Sequence, residues 1–246
     1  MAPQKHQTAA DTLMQQIFTR KLQPGDKLPP EKELARDLQV DRNALRVAVK
    51  IMQSLGVLDV RQGDGMYVRD YVRNAGIDFL RLLVSRGDPG AASLFTDQYL
   101  ADEILEAWTM IFPAMMAAAA PRLSAVQIKE LFSLLDEEEA GLDGTDRAAL
   151  VDLEVRSQDI IVEALDNTVL LMLVNSFRPL RKMMFSLFLQ VVDIPLLRRH
   201  NQIKRDLLKA YISDSPEETL AGMEQFNRHL DLFRNLIRRS WAGGDS

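Results

Sequence analysis

Residues 40–55, VDRNALRVAVKIMQSL, decide the fold, because read as a helix they separate into two faces. At 100° per residue Arg42, Arg46, Lys50 and Gln53 fall in one narrow stripe with Asn43 beside it, while Leu45, Ala48, Val49, Met52 and Leu55 fall opposite. One face packs; the other carries its cations outward. Asp41 stands where an N-cap belongs, its carboxylate able to accept free N–H groups of the first turn, so Arg42 and Asn43 come at the leading end of the helix. That end is what a DNA recognition helix presents to base edges. An ordinary solvated helix face shows the same i, i+4 basic spacing, so the flanking sequence has to decide.

Residues 8–19 read as a preceding helix with Ala10, Leu13, Met14 and Ile17 on one side. Pro24-Gly25-Asp26 is turn chemistry, and Leu28 suits a short extended segment before two prolines. Pro30 fits N1 of a second helix over residues 31–38, whose Leu34, Ala35 and Leu38 face the third. Gln39 and Val40 alone separate Leu38 from the Asp41 cap, which forces a sharp helix-turn-helix. After Gly56, a C-cap, residues 57–60 and 66–68 read as two strands around Arg61-Gln62-Gly63-Asp64-Gly65. The hairpin is either a wing whose Gly63 backbone approaches DNA or a tight turn with glycines for geometry only.

Charge divides the chain. Residues 1–75 hold 12 Lys and Arg against 9 Asp and Glu, and residues 76–246 hold 18 against 26, within a formal net charge of −5. A basic first third on an acidic remainder fits a nucleic-acid-binding module carried by a partner domain, since the local field is what meets phosphates. The chain has no cysteine, which excludes disulfides, thiolate metal sites and cysteine nucleophiles and suits a reducing cytoplasm. No secretory h-region is visible near the N-terminus. The most apolar run, residues 107–120, is short for a bilayer and holds Pro113, so it reads as a buried helix and no membrane partner is expected.

Beyond residue 74 the pattern is all helix. Expected helices cover residues 77–86, 94–112 with a break near Pro113, 114–121, 124–141, 148–165, 169–192, 196–213 and 215–240. The acidic run 136–139 reads as a solvated face. The fold expected is mainly α, an N-terminal winged helix-turn-helix over residues 1–72 followed by an all-α bundle over residues 73–246.

The ordered motifs PGDKLPPEKELA, VDRNALRVAVKIMQSLG and VLDVRQGDGMYV closely resemble the DNA-binding domain of the GntR family of bacterial transcription regulators, over about residues 8–70. The resemblance implies DNA contacts from Lys32 of the second helix, from Arg42 and Arg46 of the recognition helix, and from Gln62 and Gly63 at the wing tip; Asn43 joins them as a candidate by its place in the first turn of that helix. Asp41, where the family usually has Ser or Thr, and Asn43-Ala44, where small hydroxyl residues are common, leave the operator sequence open. Arg46 is the candidate for base readout, since a guanidinium bonds guanine O6 and N7 together. Lys32 is the candidate for a phosphate.

Residues 76–238 resemble the helical domain of the FadR branch, through the AAAAPRLS run, the spacing from Glu154 through Ala164 to Asn167, and KRDLLKAYISDSPEETLAGM. The resemblance implies a homodimer, a palindromic double-stranded operator and a small-molecule effector. Relatives often hold a metal through one Asp and three His; the matching positions here are Glu154, Gln158, Lys204 and Phe226, and Gln, Lys and Phe do not make that ligand set. No metal and no cofactor are expected. Trp108, Phe112, Met115, Met116, Phe177, Met183, Met184, Phe185 and Phe188 are candidates for an apolar effector wall, fitting a fatty acyl-CoA, or are simply core. Arg178, Arg181 and Lys182 fit either phosphates of such a ligand or a solvated basic face. Residues 71–78 are the expected route from ligand to DNA. Two other readings stay open: a repressor whose helical domain only dimerises, and a regulator sensing a metal or carboxylate. An appended enzyme would need a phosphate loop or Schiff-base lysine in an α/β setting, which the helical pattern does not offer.

Overall fold

The computed structural model describes residues 4–85, 98–144, 146–213 and 215–242. Their contacts divide the chain into two compact units, Met1–Leu94 and Phe95–Ser246.

The first unit is a winged helix. Helices α1 (Lys5–Phe18), α2 (Glu31–Asp37) and α3 (Arg42–Ser54) precede the strands β1 (Leu58–Arg61) and β2 (Gly65–Val68). The apolar face of α3, Leu45, Ala48, Val49 and Met52, is buried against Leu13, Met14 and Ile17 of α1 and against α2. The strands pair antiparallel from Leu58 opposite Val68 to Arg61 opposite Gly65, and Lys27 bridges to Tyr67 as a short third edge. Gly56 turns the chain out of α3 at φ +75°, and a Cβ there would lie 2.2 Å from the Asn74 carbonyl oxygen, so only glycine fits. Two further helices, α4 (Tyr71–Asn74) and α5 (Ile77–Ser85), group with this unit, the Tyr71 ring standing 6.4 Å from Phe18 and 5.5 Å from Phe79.

The second unit is a helical bundle of α6 (Gln98–Ala119), α7 (Ala125–Gly141), α8 (Arg147–Glu163), α9 (Thr168–Ser176), α10 (Arg178–Val191), α11 (Ile194–Ile212) and α12 (Pro216–Ala242), with a 3₁₀ turn, Ala120–Arg122, after α6. Helix α12 packs on α11 and α6, and α8 on α7 and α10. Phe112, Met116, Leu131, Leu135, Ile160, Ile203, Leu207 and Phe226 form its core.

Three sequence expectations are corrected. Helix α6 runs through Pro113 without a break, because Phe112, Met115, Met116 and Ala119 on either side are all buried and packing overrides a weak local preference. With the turn after it, α6 is long and apolar enough to cross a membrane by length and composition, yet here it is a bundle helix held to α12. Residues 169–192 are two helices, separated at Phe177 with Pro179 in the first turn of the second. The acidic run 136–139 is not simply solvated: Glu138 is buried, and Asp136 and Glu139 pair with Arg205 and Arg198. The expected helix ends at residues 86 and 94–97 lie outside the described residues.

Candidate DNA interface and effector cavity

The first candidate site is the leading end of α3. The Asp41 carboxylate accepts the Ala44 N–H at 2.9 Å, and that bond holds its pKa below the usual carboxylate value. The cap turns Arg42 and Asn43 out into solvent, and Arg46 lies one turn on, also exposed. Arg46 Nε donates to Glu31 Oε2 of α2 at 3.0 Å, an acidic partner that sequence spacing did not show. Lys32 is exposed beside it on α2. Gln62 and Gly63 are exposed at the wing tip, and Gly63 has φ +77° with open space around its Cα.

The wing is braced from its base. Asp64 accepts from Lys27 Nζ at 3.0 Å and from the Tyr67 hydroxyl at 2.9 Å, and the Arg61 guanidinium lies 4.4 Å from the Tyr67 ring centre. The Lys27 and Tyr67 hydrogen bonds, Lys27 first, keep the Asp64 carboxyl below its ordinary pKa. Lys27 and Arg61 thus join the candidate surface. The alternation of residues 57–68 places Arg61 on the hairpin's outer face; Lys27, 37 residues from Asp64, carried no such signal.

The second candidate site is a half-enclosed cavity of about 70 Å³ in the bundle. Trp108, Phe112, Glu154, Gln158, Met184 and Phe226, all expected from sequence, line it. Met115 and Phe177 do not: Met115 is in the core, and Phe177 contacts Trp108 from outside the lining. Lys204 lines a second cavity of about 40 Å³, together with Ser157. The first wall also includes Arg181, His200, Phe233 and Arg234. Arg181 is corrected from a basic face to the interior: it is 1% exposed, donates to Asp159 at 2.7 Å and Gln158 at 3.2 Å, and has its guanidinium carbon 5.8 Å from the Trp108 ring centre. Arg178 reaches the same Asp159 from the edge at 2.6 Å. Burial lowers the Arg181 pKa, opposed by the Asp159 bond.

Between the two cavities runs a polar layer. Lys204 Nζ donates to Glu138 at 2.6 Å and Glu154 at 2.8 Å, and Gln158 Nε2 donates to the other Glu154 oxygen at 2.8 Å. Burial alone would lower the Lys204 pKa, but the two carboxylates outweigh it and hold the ammonium above its ordinary value. Burial pushes the Glu138 carboxyl up, against the pull of Lys204. These residues do not suit a divalent ion: a bound ammonium lies between the two carboxylates, and Phe226 offers no donor. Among the described residues no group of three or more His, Asp or Glu converges as a metal-ligand set. His200 and His229 stack 5.2 Å apart in the interior. Burial, then Lys204 and His229, hold His200 well below its ordinary pKa; burial and Arg199 lower His229 to about 4.

Each of the two units matches a known domain family. Residues 5–68 match the family of bacterial regulatory proteins called gntR, and residues 103–229 match the FCD domain. The chain belongs to the GntR family, in its FCD class. The HTH-type transcriptional regulator Mce2R of Mycobacterium tuberculosis is 38% identical over 128 residues, 52% of this chain and 49% of that one. LutR of Bacillus subtilis is 27% identical over 173 residues, 68% of this chain and 74% of its own. Among solved structures, the Listeria monocytogenes regulator Lar has the same fold, with a TM-score of 0.56 at 16% identity over 97% of this chain and 99% of that one. The chain spans about half the length of the first relatives it matches. Its first unit thus carries the gntR-family domain and its second an FCD domain.

Proposed function

We propose that this regulator binds a two-fold symmetric operator as a homodimer, reads it with Arg42, Asn43 and Arg46, steadies itself on the backbone with Lys32 and the Gln62-Gly63 wing tip, and answers to a small molecule in the bundle cavity. The observation that carries this reading is the capped, exposed leading end of α3, with two arginines and an asparagine one turn apart and a braced wing in the same unit. Protein symmetry then sets DNA symmetry, with half-sites on successive exposures of the major groove. A ligand regulates by favouring one arrangement of the two winged helices, through a differential affinity of typically about 1–3 kcal/mol.

A fatty-acyl effector is the second reading. The wall of Trp108, Phe112, Met184, Phe185 and Phe188 suits an acyl chain. At about 70 Å³, however, the cavity is half the ~150 Å³ that holds a benzene ring, so a long chain enters only if the helices part.

The test is selection from a random DNA library. The wild type is expected to enrich an inverted repeat, and Arg46→Ala to lose about 1–3 kcal/mol of preference at one base pair of each half-site. Lys32→Ala is expected to weaken all sequences alike and reduce the salt slope by about one. Enrichment of a site without two-fold symmetry would sink the dimeric reading, and an unchanged Arg46→Ala profile would sink the assignment of base readout.

A further inference from the structure

Two polar atoms belonging to the first cavity's wall have no hydrogen-bond partner: Nε of Arg181 and Nδ1 of His200. Both side chains are more than nine-tenths buried. A buried donor or acceptor left unmet is destabilising, and two on one cavity mark a place that another molecule completes.

The charges around them limit what that molecule is. Three buried carboxylates, Glu138, Glu154 and Asp159, face the buried Arg181 and the nearly buried Lys204, and half-exposed Arg178 stands at the edge. The cations are already engaged: Lys204 by Glu138 and Glu154, Arg181 and Arg178 together by Asp159, and Arg234 of the wall by Asp102 and Glu106. A carboxylate entering the cavity would lie near Glu154 and would have to compete with Asp159 for the arginines it already holds, whereas a neutral head group would leave those pairs intact. With Lys204 and Phe226 at two of the four positions discussed above, the wall also lacks the donors for a divalent ion that would carry the carboxylate's charge.

We infer that this cavity takes the uncharged, carbonyl-bearing head group of a small amphipathic effector, with a carboxamide as the best match. The carbonyl oxygen accepts from Arg181 Nε–H, and the amide nitrogen meets Nδ1 of His200. The rings of Trp108 and Phe112 and the Met184 side chain surround the apolar part. About 70 Å³ seats about three non-hydrogen atoms, the number in a carboxamide group, by comparison with the ~150 Å³ benzene cavity, and the rest of the ligand extends through the open side. The inference rests on the sensing role proposed for the bundle.

Propionamide and propionate have nearly the same shape and differ in charge, so they separate the alternatives. The chain has two tryptophans, and Trp241→Phe leaves Trp108 in the cavity wall as the sole reporter. Full-length Trp241→Phe protein titrated with propionamide is expected to show a saturable change in Trp108 emission, with propionate at least tenfold weaker and manganese chloride without effect on the ratio. His200→Phe, which keeps an aromatic ring against Phe188, Phe226 and Phe233, is expected to weaken propionamide tenfold or more with an unaltered circular dichroism spectrum. Equal or tighter propionate binding, a manganese-dependent gain for propionate, no saturable response to propionamide, or full affinity in His200→Phe would each overturn the inference. Operator binding by anisotropy on the same sample is a separate readout: its loss with propionamide binding intact counts against the DNA reading and leaves this one standing.

Discussion

The two units carry charge in opposite ways. In the winged helix the charged side chains are on the surface: Arg42, Arg46 and Lys32 face solvent over a wholly apolar core, and the Arg46–Glu31 and Lys27–Asp64 pairs are about half exposed. In the bundle, Glu138, Glu154, Asp159, Arg181 and Lys204 are drawn inside and pair with one another across α7, α8, α10 and α11. Water shares the work in the first arrangement. In the second, each group depends on its partner, and removal of one leaves another stranded.

This contrast predicts its largest effect at Lys204. Lys204→Met takes the ammonium from between two buried carboxylates, and the bundle is expected to lose about 3–5 kcal/mol in urea denaturation at neutral pH. A loss under 1 kcal/mol would place the Glu138–Lys204–Glu154 layer in the same class as the surface pairs. The next effect is on pH. His200 and His229 have folded pKa values below the ordinary 6.5, so at these two sites, between 6.5 and about 4, the unfolded chain binds more protons than the folded one. Stability present above 6.5 is therefore lost progressively as pH falls towards 4. Thermal melts of the wild type and His229→Phe across that window check the sign; a melting point that rises on acidification, or a slope that His229→Phe leaves intact, breaks the argument.

The smallest effect belongs to the winged helix. Glu31→Gln frees Arg46 from an exposed ion pair, which is expected to change folding stability by about 0–1 kcal/mol. It also removes a negative charge from the DNA-facing side, so association with operator should speed up several-fold at low salt, an effect that added salt erases. Stopped-flow anisotropy at two salt concentrations measures it. An unchanged rate at low salt would show that Glu31 does not compete for Arg46.

The same contrast explains what was legible. The recognition helix, its Asp41 cap, the wing and the exposed arginines are local patterns, readable within about 30 residues of chain. The wall's apolar members were legible too, since Trp108, Phe112 and Met184 recur at helical spacing. Of its polar members, Glu154 and Gln158 were reached through the family resemblance, whereas Arg181, His200 and Arg234 stand on three further helices whose register no window of sequence shows. One signal was nonetheless present. Arg181 shares a helical stripe with Met184, Phe185 and Phe188, and His200 shares one with Leu197, Ile203 and Leu207. Glu138 likewise continues the stripe of Leu131, Leu134 and Leu135. A charged residue on an apolar stripe marks a buried partner, even when the partner's identity is hidden. Pro179 similarly marked the start of α10, whereas Pro113 marked nothing that packing did not override.

Gly56 remains. With the Asn74 carbonyl oxygen only 2.2 Å from where its Cβ would stand, the trailing end of α3 is butted against the end of α4 with no gap for even a methyl group. The reading helix and the exit segment are therefore set against each other with backbone on backbone. A single added carbon at position 56 would have to drive the two ends apart, and the exit segment would leave the reading helix at a different angle.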